Sequence, residues 1–216
     1  GLVGSEMCIR DRYRVEVFGQ KTYNGVAIAS LHEMEDVATG LPGDGPDDQK
    51  RVIEATISGI RVVNLYVPNG KAPGTEPYEM KLQWLSRLKD HLDADLSPED
   101  PVVVLGDINI APEDRDVHDP VALEGTIHCS VPEREALRDV MAWGLTDAFR
   151  LHHEEAGLYS WWDFRAAMFR RGLGLRIDLV LVTDSLVRRC TLAEIDKAAR
   201  AGEKPSDHAP VVVTFE

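Results

Sequence analysis

Asp107 and Asn109 close the apolar run Val102-Val103-Val104-Leu105, in the order Gly106-Asp107-Ile108-Asn109. On extended backbone, residues two apart project to one side. A carboxylate that can take a proton and a carboxamide that can donate hydrogen bonds would then face one ligand. The same pair is also ordinary turn and cap chemistry, because Asp and Asn side chains bond their own backbone. Asp178 lies in Arg176-Ile177-Asp178-Leu179-Val180-Leu181-Val182, a single carboxylate among apolar residues. It needs a partner there, as half of a structural ion pair or as the orienter of a catalytic group. Asp207-His208 precedes the last apolar run, where turn chemistry alone would explain it, and Tyr66, at the end of another run, reads by itself as an interface residue. Together they describe polar groups gathered at the ends of different strands, which is how α/β sandwiches build a site.

The elements that must position these groups can be read from periodicity. Val15 and Val17 alternate with charged residues, and Gly25-Val26-Ala27-Ile28-Ala29 follows the turn-prone Tyr23-Asn24-Gly25, which predicts a hairpin. Residues 40–48 form a loop rich in Gly, Pro and Asp, and Ile53, Ala55 and Ile57 then alternate as a half-buried strand. Residues 61–67 are a strand closed by Pro68-Asn69-Gly70. Leu82, Leu85, Leu88 and Leu92, with Trp84, recur at helical spacing until Ser97-Pro98. The polar stretch from Ala111 to Ser130 places His118 and His128 on the surface. Ser130 caps a second helix with Pro132 in its first turn and Leu137, Val140 and Met141 on its apolar face. Residues 145–149 are a short strand or turn, and His152-His153 face solvent. Residues 176–182 and 211–215 are strands. Strand, helix, strand is the unit of an α/β sheet, with the sense of the paired strands left open.

A chain of 216 residues with 44% hydrophobic content suffices for one domain with a substantial core. The longest apolar runs are strand-sized, so no membrane span is expected, and no secretory signal stands at the start. The three cysteines are scattered, with no C-x-x-C, so neither a disulfide framework nor a zinc site is expected and the protein reads as cytoplasmic. A net charge of −13 excludes non-specific coating of nucleic acid, which draws on a large basic surface. It leaves room for an enzyme with a local basic strip, and Arg165, Arg170, Arg171 and Arg176 could form one. That strip follows Tyr159-Ser160-Trp161-Trp162-Asp163-Phe164, and aromatics beside arginine suit a surface that stacks on bases or sugars while holding phosphate.

The segments Gly106-Asp107-Ile108-Asn109, Asn64-Leu65-Tyr66-Val67-Pro68-Asn69-Gly70, Tyr159 to Arg165, Leu173 to Val182 and Pro205 to Pro210 resemble the motif series of the exonuclease III family. Its members are apurinic/apyrimidinic endonucleases and 3′ to 5′ exonucleases of the endonuclease/exonuclease/phosphatase superfamily. The first and last motifs are shared with superfamily phosphatases and sphingomyelinases; the middle three are more specific to DNA repair. The resemblance implies a four-layer α/β sandwich, two packed mixed sheets flanked by helices. It also implies a cytoplasmic, monomeric, divalent-metal-dependent hydrolase, with Mg²⁺ or Mn²⁺, acting on duplex DNA at abasic sites or 3′ ends. In that frame Asp107 transfers a proton near the attacking water or leaving group, Asn109 orients water or phosphate, His208 touches the phosphate with its tautomer fixed by Asp178, and Tyr66 donates to the phosphate. Asp207, with Asp107 and Asn109, helps hold the metal. Trp161 and Leu175 form an apolar slot for a baseless sugar, and Arg165 and Arg176 meet the DNA.

The resemblance runs from Tyr13 to Glu216, so residues 1–12 read as a leader and 13–216 as the domain. The family's first strand, with its Asn, and the later strand ending in Gln-Glu, whose Glu is the principal metal ligand, find no equivalent. The expectation is a truncated chain with weak metal binding, little activity and an uncovered strand edge. Two other readings follow: a superfamily phosphoesterase acting on a lipid or inositol phosphate, and a catalytically silent DNA-binding fragment.

Overall fold

The computed structural model describes residues 12–21, 24–45 and 48–216. Among the described residues, ten strands and two long helices carry the architecture: β1 (Arg14–Gly19), β2 (Gly25–Ser30), β3 (Glu35–Thr39), β4 (Val52–Ile57), β5 (Ile60–Tyr66), α1 (Glu76–Asp95), β6 (Val102–Asp107), α2 (Val131–Met141), β7 (Thr146–Asp147), β8 (Asp178–Val182), β9 (Cys190–Ile195) and β10 (Val211–Phe215). Six strands form one mixed sheet in the order β3-β4-β5-β6-β8-β7. β5 and β6 are parallel, as the intervening helix α1 allows, whereas β6 and β8 are antiparallel.

Alternation along the central strands divides the sheet into two faces. Val63 and Leu65 of β5, Val102 and Val104 of β6, and Leu179 and Leu181 of β8 pack with Trp84, Leu85, Leu88 and Leu92 of α1 and Leu137 and Val140 of α2. The opposite face is covered by two antiparallel ladders. β1–β2 places Val26 and Ile28 against Ile53 and Ala55, and β9–β10 places Val211, Val213 and Phe215 against Val103, Val180 and Val182. These packed sheets with flanking helices are the expected fold class. No helix among the described residues is long and apolar enough to cross a membrane.

The hairpin at the start, the strand at 61–67 and both helices stand where periodicity put them. α2 begins with Ser130, whose N–H donates to Glu133 at 3.2 Å, so the expected cap is reinforced three residues on. β4 differs from its half-buried expectation: Val52 to Ala55 are buried on both faces, and Glu54 is satisfied there by His91 at 2.7 Å and Arg61 at 3.0 Å. The expected leader at 1–12 lies, apart from Arg12, outside the described residues.

Candidate active site

Three neighbouring strands put three polar side chains in one row. Tyr66 is the register partner of Asp107 across the parallel pair, and Asp107 is the partner of Asp178 across the antiparallel one. All three share the parity of the residues that face the ladders, so they emerge together at one end of the sheet on its ladder side. Gly106 makes the arrangement possible. A Cβ there would stand 1.8 Å from the carbonyl oxygen of Leu65, so only glycine lets β5 and β6 approach beside the carboxylate.

The loop before β10 brings His208 to this row. Its Nδ1 lies 2.8 and 3.0 Å from the two carboxylate oxygens of Asp178, which makes Nδ1 the donor and leaves Nε2 facing Asp107 Oδ2 at 4.0 Å. That loop is stitched to the aromatic segment: Ala209 N–H donates to Ser160 O at 2.7 Å and Trp162 N–H to Asp207 O at 3.0 Å. Ser160, fully buried, accepts the N–H groups of Ile177 and Asp178 on its hydroxyl, each at 3.1 Å, and so fixes where β8 presents its carboxylate.

Asn109 does not extend the strand. It sits at φ 55°, in the left-handed region, because β6 stops at Asp107 and the chain turns. The two side chains meet through that turn rather than by alternation. Asn109 N–H donates to Asp107 Oδ1 and its carboxamide to Asp107 Oδ2, both at 3.0 Å, with a further bond to Val67 O at 3.0 Å. Being 4% exposed, Asn109 faces Asp107 instead of solvent. The turn and site readings of this pair are therefore one arrangement.

A cleft of about 530 Å³ opens over the row, lined by Leu105, Gly106, Asp107, Asp178, Ser206, His208 and Val211 among others. Burial, and then the charge of Asp178, push the Asp107 carboxyl up to about 7, against the pull of His208 and the Asn109 N–H. Burial disfavours a charged His208, but the hydrogen bond and charge of Asp178, with Asp107 and Asp207, hold its pKa above the ordinary imidazole value. Near neutral pH the site thus pairs a carboxyl that exchanges protons readily with an imidazole biased toward imidazolium.

The remaining expected site residues divide. Trp161 pairs with Leu175 through both backbone hydrogen bonds, at 2.9 and 3.0 Å, and its indole donates to Asp207 at 3.0 Å. Trp161 is half-buried and Leu175 nearly enclosed. Arg165 is exposed and paired with Asp163. Arg176 is a correction: it is 1% exposed, bonded to Asp116 at 2.6 Å and Asp147 at 2.8 Å, and cannot meet DNA. The basic strip therefore consists of Arg165, Arg170 and Arg171, which are exposed. His128 is a second correction: it is buried, with Nδ1 2.6 Å from Asn109 O, while His118 and His153 are half-buried on backbone carbonyls of Gly174 and Ala193. Sequence reasoning also passed over Ser160, Asn69, Lys81 and Glu133. Asn69, in Pro68-Asn69-Gly70, and Ser160, in the aromatic segment, lay within motifs of the series; Lys81 and Glu133 lay outside them.

Among the described residues no group of three or more His, Cys, Asp and Glu is gathered as a metal ligand set. Asp207 has one oxygen engaged by Trp161, and the Asn109 amide is spent on Asp107 and Val67. The described donors thus fall short of the oxygen shell a hard divalent cation takes.

An imidazole oriented by one carboxylate and facing a second at the strand ends of a mixed sheet suits proton transfer in an α/β-sandwich hydrolase. The endonuclease/exonuclease/phosphatase family pattern matches residues 4–208. Exodeoxyribonuclease III of Haemophilus influenzae is 34% identical over 94% of this chain and 81% of its own length. Among solved structures, the 3′ phosphatase NExo from Neisseria bound to product DNA hairpin superposes with TM-score 0.92 at 41% identity, covering 99% of this chain and 82% of that one. An AP endonuclease from Archaeoglobus fulgidus gives TM-score 0.91 at 42% identity, covering 96% and 80%. The chain belongs to the endonuclease/exonuclease/phosphatase family, within its exonuclease III group, a family of divalent-metal-dependent enzymes.

Proposed function

We propose that this chain is a DNA-repair nuclease that hydrolyses phosphodiester bonds in duplex DNA, at abasic sites and at 3′ ends. The observation that carries the reading is the 4.0 Å gap between His208 Nε2 and Asp107 Oδ2, with Nδ1 already bound to Asp178. The gap exceeds a direct hydrogen bond, so both groups are free to act on a third species such as a phosphate oxygen or a water. Hydrolysis takes a proton from the attacking water and returns one to the leaving oxygen. Asp107, with its carboxyl at about 7, accepts the first. His208, as the imidazolium that the charge of Asp178 favours, supplies the second from Nε2 to the leaving oxygen of the phosphate. Tyr66, in the same row, donates to the phosphate from the other side. Asn109 acts by aiming Asp107. The half-buried face of Trp161, braced by Asp207 and Leu175, is the slot for a sugar without a base, and the exposed Arg165 follows the backbone.

A divalent cation, Mg²⁺ or Mn²⁺, supplies neutralisation of phosphate charge when bound. The described residues offer Asp107, and Asp207 through its second oxygen, toward such an ion. We take residues 13–216 as the working domain, acting as a monomer in the cytoplasm, the compartment that its few scattered cysteines suit. The test is Mg²⁺-dependent incision of a duplex carrying one abasic analogue, beside a 3′-phosphorylated hairpin and a phosphoinositide. Cleavage of either DNA, abolished by Asp107→Asn with binding retained, supports the reading. Turnover of the phosphoinositide alone would replace it with a lipid phosphoesterase, and binding without cleavage in any arm with a silent DNA-binding protein.

A further inference from the structure

Asn109 is saturated at every polar atom, and the atom not yet accounted for is its carbonyl. Two side chains from distant segments converge on it. Lys81 of α1 donates from Nζ to Asn109 O at 2.7 Å, and His128 donates from Nδ1 at 2.6 Å. Lys81 also donates to Asn69 O at 3.2 Å and to Glu133 at 2.5 Å, while the Asn69 carboxamide donates to Asn109 Oδ1 at 3.2 Å. The ammonium and its counter-charge are both fully buried. Gly70 leaves room for the lysine stem, since a Cβ there would come within 3.0 Å of Lys81 Cδ.

A buried ammonium needs an acceptor for each of its three donors, and two of the acceptors used here are the carbonyls of the two loops flanking the site, so the ion pair ties both loops to one point. We propose that Lys81 is a positioning residue for the reaction, clamping the carbonyl of Asn109 so that the left-handed turn holds Asp107 on its target. The proposal rests on the nuclease reading for its kinetic consequence and on geometry for the clamp. Glu133 takes the third donor of Lys81, and His128 is the second jaw.

The test compares the full chain with Lys81→Gln/Glu133→Gln, which removes both charges together, and with His128→Phe, which keeps ring volume and removes both nitrogens. Misplacing a reacting group by 1 Å costs about a hundredfold in rate, so kcat on the abasic duplex should fall by about ten- to a hundredfold with KM within about twofold. Exchange of the Asn109 backbone N–H should quicken by about tenfold while amides of β8 keep their protection. If kcat stays within twofold in the folded variants, or if exchange quickens throughout the sheet and not locally, the clamp is refuted and Lys81 is a structural ion pair. Should the charge-free double variant fail to fold, His128→Phe decides by the same two readouts. If the parent cuts neither DNA substrate, the nuclease reading falls, and unchanged Asn109 exchange in the variants would then refute the clamp independently.

Discussion

Replacing Asp178 by Asn removes one charge from a row that holds two carboxylates and an imidazole, and it acts on both of its neighbours in known directions. The backbone of residue 178 stays anchored by its N–H on the Ser160 hydroxyl, so the new amide remains beside His208. What is lost is a charged acceptor 2.8 Å from Nδ1. Hydrogen bonds to charged groups contribute about 1.5–3 kcal/mol against about 1 for neutral ones, so the imidazolium that donates its proton loses roughly 1–2 kcal/mol relative to the neutral ring. At about 1.4 kcal/mol per tenfold, that is a fall of about 5- to 30-fold in the plateau kcat, more if the amide turns its N–H₂ toward Nδ1 and upsets the tautomer. With the main opposing charge gone, burial pulls His208 down, so its titration midpoint must drop. Asp107 moves as well: burial still holds its carboxyl up from about 7's ordinary origin near 3.8, but the repulsion from Asp178 is gone, so its midpoint falls below about 7. The rate should therefore rise with pH at lower pH than in the parent, to a lower plateau. The assay is kcat against pH on a single-abasic duplex, with the His208 ring followed by NMR. A plateau within twofold of the parent, or an acid limb that stays or moves upward, would refute the coupled row.

Arg176→Leu leaves the buried Asp147 without its cation, while Asp116 keeps Arg150, and should cost about 3–5 kcal/mol of stability, read as a urea midpoint, without changing the salt dependence of DNA binding. Arg165→Ala should do the reverse, reducing the salt slope by about one with the urea midpoint nearly unmoved. Gly106→Ala drives a methyl into the Leu65 carbonyl and should prevent β5 and β6 from pairing, seen as loss of the cooperative thermal transition. His128 is held down to about 4, by burial first and then by Lys81, so it is neutral in the fold. The unfolded chain binds that proton near 6.5 and the folded chain only near 4. The stability is fully present above 6.5 and lost as pH falls toward 4, by up to about 3 kcal/mol. His128→Phe should flatten that acid loss between pH 6.5 and 4 in urea melts.

What could be read from the chain and what could not separate on physical grounds. Asp107, Asp178 and His208 were legible because each carboxylate breaks or closes an apolar run, and a charge inside a buried strand must have a partner. β3 and β9 were missed because they show too little apolar alternation: every residue of β3 is exposed, and Ala193 is the one buried residue of β9. The parallel sense of β5 and β6 is a property of the pair and is written in neither strand. Arg176 was misplaced because a basic residue after aromatics reads as surface, and what buries it is an acid 60 residues away. Lys81 and Glu133, 52 residues apart, fail for the same reason. Asn109 is the most instructive. Spacing put it beside Asp107 by assuming an extended chain, and the resemblance assigned it to water or phosphate and to the metal. With φ at 55° its donors turn back on Asp107, which is the geometry behind the proposal that Asn109 acts by fixing its neighbour's direction. An Asn109→Ala variant should therefore lower kcat while leaving KM close to the parent's; weakened binding with an unchanged kcat would instead place its amide on the phosphate.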